Sequence, residues 1–96
     1  MTSNEFNEKY KQYIPDGWYG LGFNVPEVTE YLDEIMEDLI TIPGLEIHQI
    51  KLKFNMARFY FETSWKDKGL EAALMIKIED KINKLVKQHD EKNNSI

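Results

Sequence analysis

Cysteine is absent from all 96 residues of this chain, and with it go disulfides, thiolate chemistry and every cysteine metal site. Long apolar runs are also missing: nothing approaches the roughly 18 consecutive apolar residues of a spanning helix, so no membrane is expected. No apolar stretch follows the first charges, so no signal peptide is expected and a cytoplasmic location is. The only histidines, His48 and His89, fall in different elements, and neither has a ligand at a metal-site spacing. Glu34 and Asp38 share a helical face, but such pairs are ordinary on an acidic solvent stripe. No metal and no cofactor are expected. Ser3, Ser64 and Ser95 read as caps or tail, and none sits in a nucleophile elbow. A catalytic constellation is therefore not visible, and an enzyme is not expected.

The chain is 42% hydrophobic, enough for one modest core. The reading is a single α+β domain over residues 1–90 with a frayed tail over 91–96. Charge is uneven. Residues 1–46 carry two lysines against ten acids, a balance of −8, while residues 47–96 carry ten bases against seven acids, a balance of +3. The acidic half argues against a nucleic-acid partner, because phosphate binding scales with local positive charge.

Hydrophobic spacing places the elements. Residues 3–13 read as a short helix with Phe6, Tyr10 and Tyr13 on one face and Ser3 as cap. Pro15-Asp16-Gly17 is a turn. Residues 17–26 read as a compact loop of alternating glycines and aromatics, without a phosphate-loop pattern. A helix over 25–40 has Asn24 and Glu27 at capping-box spacing and an apolar stripe of Val28, Tyr31, Leu32, Ile35, Met36 and Leu39. Residues 46–63 read as a β-hairpin turning near Asn55-Met56, with Asn55 at positive φ. Its expected inner face takes Ile50, Leu52, Phe54, Phe59 and Phe61, with His48 as an optional member. Its expected outer face takes Ile47, Gln49, Lys51, Lys53, Arg58 and Tyr60. A long helix over 65–89, opened by Ser64 with Asp67, has Leu70, Ala73, Leu74, Ile78, Ile82, Leu85 and Val86 as its stripe. The expected fold is a small antiparallel sheet packed against two or three amphipathic helices, in the order α-α-β-β-α.

Two surfaces are candidate sites. Lys51, Lys53 and Arg58 gather positive charge on the outer hairpin face beside Tyr60. Like charges across two strands repel unless an anion compensates, which suits a small anionic nucleotide-type ligand stacked on Tyr60. The competing structural reading is that these charges guard a sheet edge. The other surface joins the acidic helix residues Glu30, Glu34 and Glu37 to Trp18 and Tyr19, with the aromatics anchoring a basic protein partner.

Gly17-Trp18-Tyr19 and the block Gln49 to Tyr60, QIKLKFNMARFY, resemble a group of small phage and prophage proteins. That group has an early GWY, a helix, and a strand reading like QVKEKFGxLRFY. Asn55 stands where the pattern has glycine, Ala57 where it has leucine and Leu52 where it has glutamate, and the cysteine-bearing tail of longer members is absent. The resemblance covers about half the chain and implies an origin more than a mechanism. It suits a non-enzymatic protein that binds and modulates a host protein. A nucleotide sponge and a homo-oligomeric assembly protein are the alternatives.

Overall fold

The chain opens on a reciprocal cap: Thr2 Oγ1 accepts from the Glu5 N–H at 3.2 Å, and the Glu5 carboxylate accepts from the Thr2 N–H at 2.9 Å. This starts helix α1 (Ser3–Lys9) in the computed structural model, which describes residues 1–94. Ser3, the expected cap, is the first helical residue and is buried, and its N–H donates to Asn24 Oδ1 at 2.7 Å. Asn24 is thereby occupied, so helix α2 (Pro26–Leu39) starts from Val25 with no side-chain cap, relying on Pro26 to preset the first turn. A 3-10 turn over Lys11–Tyr13 ends the first helical segment early.

The glycine-aromatic loop holds a short strand, β1 (Gly20–Leu21), that the sequence reading missed. It pairs in parallel with β2 (Glu46–Lys53), which pairs antiparallel with β3 (Met56–Glu62). Helix α3 (Lys68–Asn94) completes an α+β fold that has, among the described residues, three α-helices and one sheet ordered β1-β2-β3. The expected element order stands, with β1 added before α2. No helix is long and apolar enough to cross a membrane among the described residues.

The sheet buries one face only. Ile47, Ile50, Ala57, Phe59 and Phe61 meet Phe6 of α1, Val28, Leu32, Met36 and Leu39 of α2, and Ile78, Ile82 and Val86 of α3. Ile47 was expected to face outward. A bulge between Ile47 and Gln49 makes His48 the extra residue, so Ile47 and Ile50 both point inward while His48 joins the outer face. Phe54 was expected inside and is instead 89% exposed, because the turn is a two-residue one. Lys53 pairs with Met56, leaving Phe54 (φ 53°) and Asn55 (φ 62°) both left-handed, as a type I′ turn requires.

Side chains from helices cap part of each margin of the sheet. Asn7 of α1 accepts from the Leu21 N–H at 2.8 Å and donates to the Leu21 carbonyl at 2.9 Å. On the other margin, the outward N–H of Ala57 donates to Asn83 Oδ1 at 2.7 Å and that of Phe59 to Glu79 Oε2 at 2.9 Å. A Cβ at Gly20 (φ 65°) would fall 2.4 Å from Asn7 Oδ1, so this position needs glycine for both conformation and space.

Helix α3 departs from its expected stripe. Ile78, Ile82 and Val86 are buried, but Leu70 is 56% exposed and Ala73 is also outside the core. Its first turn is spent on polar bonds: Asp67 Oδ1 accepts from the Gly69 N–H, and Glu71 takes Thr63 Oγ1 and Lys68 Nζ. Asp67 therefore opens the helix without Ser64. The expected frayed tail over 91–96 is helical through Asn94, and the rest of it lies outside the described residues. His89 Nδ1 meets Glu27 Oε2 at 2.9 Å, which ties this end of α3 to the first turn of α2. On the far side of α2, Lys9 Nζ and the Tyr10 hydroxyl both donate to Asp33, holding its carboxyl below the usual range.

Candidate binding face of the sheet

Three helices pack on one side of the sheet or along its margins, and the opposite side is left to solvent. Strand alternation sends Gln49, Lys51 and Lys53 of β2 and Met56, Arg58 and Tyr60 of β3 to that open side. Lys51 lies directly across from Arg58, Gln49 from Tyr60 and Lys53 from Met56. The structure thus brings together the four hairpin residues singled out from the sequence. Lys51 Nζ sits 5.8 Å from the centre of the Tyr60 ring, at the outer limit of a cation–π contact. Arg58 Nη1 donates to the Ala57 carbonyl at 3.1 Å.

Among the described residues, none of these three cations is in an ion pair. Glu46 and Glu62, which could have neutralised them, pair with each other's position at the far end of the same strands. β1 pairs only with Gln49 and Ile50, so Lys51 and Lys53 lie on the stretch of β2 that runs past it, and Arg58 lies on the edge strand β3, positions where charge also guards a sheet edge.

The second surface does not assemble. Glu30, Glu34 and Glu37 are exposed on α2, which covers the inner face of the sheet. Trp18 lies on the outer face, stacked on His48 with centroids 4.3 Å apart and planes 3° from parallel. Tyr19, 70% exposed, follows it and donates its N–H to the His48 carbonyl at 3.1 Å. The acidic helix and the aromatic pair are therefore separate features on opposite sides of the sheet.

Sequence reasoning missed Phe54 and Met56, respectively 89% and 48% exposed beside Lys53. The signal was available in Asn55, since a two-residue turn ending at that asparagine makes Phe54 a turn residue. A groove of about 400 Å³ lies between α2 and α3 and is lined by Tyr31, Lys77, Asp80, Lys81 and Lys84.

No family model matches the chain, and no curated protein or solved structure does so.

Proposed function

We propose that this is a non-enzymatic protein-binding domain whose contact surface is the open face and tip of the β2–β3 hairpin. The observation that carries the reading is Phe54. A large aromatic is held at φ 53°, a conformation that glycine or asparagine adopts more cheaply, and is left 89% exposed. Neither packing nor local conformation rewards phenylalanine there. An anchor that fills a partner's pocket does, since aromatic side chains dominate interface energetics. Met56 and Tyr60 extend the apolar area, and Lys51, Lys53 and Arg58 frame it with charge that favours an acidic partner surface. Exposed Phe54, Met56 and Tyr60 offer the kind of apolar side chains that a macromolecular partner covers, whereas a small anionic ligand needs a concave site. The resemblance to small phage proteins makes a host protein the partner this reading expects.

The test is affinity capture with wild-type protein and three folded variants. Phe54→Gly and the double change Lys51→Glu with Arg58→Glu should both lose the captured protein. The triple change Glu30→Lys, Glu34→Lys and Glu37→Lys should keep it. Loss in the helix variant with retention in the two hairpin variants would move the contact surface to α2.

A further inference from the structure

At the base of the same open face, far from the hairpin tip, stands a cluster that composition and spacing along the chain did not reveal. Glu46 and Glu62 occupy directly opposed positions on β2 and β3, and the bulge turns His48 onto the face between them. One ligand atom from each of the three lies within 4.8 Å of the other two. His48 Nε2 is already 3.3 Å from Glu46 Oε1. That matches the ligand–ligand spacing of roughly 3–3.5 Å expected around an ion with bonds near 2.1 Å.

Two further features make this more than a chance meeting of acids. Like charges directly opposed on a sheet repel, and among the described residues Glu62 has no ion pair while Glu46 has only His48. The repulsion is thus left for something cationic to relieve. The histidine ring is also fixed in place. Its side chain is 13% exposed and it lies face to face with Trp18, which leaves the edge bearing Nε2 toward the carboxylates. A fixed imidazole with two adjustable carboxylates is a workable way to close around a metal, because the exposed glutamates can rotate inward at little cost.

We propose that Glu46, His48 and Glu62 form a site for a divalent transition-metal ion of the zinc class. One imidazole nitrogen and two carboxylate oxygens suit such an ion better than calcium or magnesium, which prefer oxygen alone. Three protein ligands on an open face leave further coordination positions to water or to a donor from a bound partner. The expectation of no metal came from the chain spacing of the histidines. That spacing does not register a third candidate ligand that arrives through strand pairing, 14 residues beyond His48.

Calorimetric titration with zinc chloride in a non-chelating buffer, paired with thermal melting, tests the site. Wild-type protein should bind one zinc ion per chain saturably, and excess zinc should raise its melting temperature. His48→Asn and Glu62→Gln should each weaken zinc binding by at least about tenfold and remove the zinc-dependent rise. Without metal, Glu62→Gln should melt no lower than wild type, since it relieves a repulsion, which separates ligand loss from unfolding. His89→Asn, altering the other histidine beside a carboxylate, should bind zinc as wild type does. Absence of saturable binding by the wild type, or unchanged affinity in both His48→Asn and Glu62→Gln, would overturn the proposal.

Discussion

The two faces of one small sheet divide the work of this protein. On the inner face, Ile47, Ile50, Ala57, Phe59 and Phe61 are buried under three helices, and each side chain is held by its neighbours. On the outer face, the same strands alternate Gln49, Lys51, Lys53, Arg58 and Tyr60 into solvent, and Lys51, Lys53 and Arg58 are in no ion pair among the described residues. Stability is concentrated on one side and unsatisfied chemistry on the other. Substitutions should therefore sort by face, even between residues adjacent in the chain.

The largest expected effect is on the buried side. Phe59 is fully buried and packs against Phe61 at 5.0 Å between ring centres. Phe59→Ala should cost about 3–5 kcal/mol in chemical denaturation, enough to unfold much of a domain this size. Its neighbour Arg58, changed to Glu, should move stability by no more than about 0.5 kcal/mol. Closing the margin is worth less than filling the core. Asn83→Ala leaves the Ala57 N–H without its partner and should cost about 1–2 kcal/mol by the same measurement.

At the tip the sign should reverse. Phe54→Gly removes a left-handed phenylalanine and should stabilise the domain by up to about 1 kcal/mol while capture of the partner falls. A variant that gains stability and loses binding is the signature of a residue kept for contact. A loss of stability would instead place Phe54 in the folded-state packing and weaken the proposed division between faces.

The smallest effect concerns acid. Asp33 is ionised more readily than usual because Lys9 and then Tyr10 donate to it, so its folded pKa lies below the ordinary 3.8. A lowered carboxylate pKa means the stabilisation is whole above that ordinary value and fades as pH falls through the folded one. Glu71 and Glu27 shift in the same direction. The gap in melting temperature between wild type and Asp33→Asn should be widest near neutral pH and close as the solution is acidified toward pH about 2.

Helices were the most legible part of this fold, because burial every three or four residues leaves a period that can be read locally. Val28, Leu32, Met36 and Leu39 of α2 all fall where that period puts them. The sheet was legible only where its rules are local. Alternation placed Lys51, Lys53, Arg58 and Tyr60 on one face, but a single extra residue at His48 exchanged the sides of Ile47 and His48. Two-residue β1 has no period at all, and only its pairing with Gln49 and Ile50 defines it. The same holds for the base of the open face. Glu46 and Glu62 meet through the register of a hairpin and Trp18 reaches His48 through a parallel pairing, and neither relation exists in the linear order of residues.

Asn7, Glu79 and Asn83 have a consequence beyond holding the domain together. Proteins that recruit a partner by strand addition bind through the main chain and accept many sequences, and they risk growing into fibres by the same route. With Leu21 and the N–H groups of Ala57 and Phe59 bonded to its own side chains, part of this sheet's backbone is closed to strand addition. On the proposed reading, partner choice rests on a handful of side chains that can be replaced without opening those capped backbone groups to the pairing that drives uncontrolled self-association.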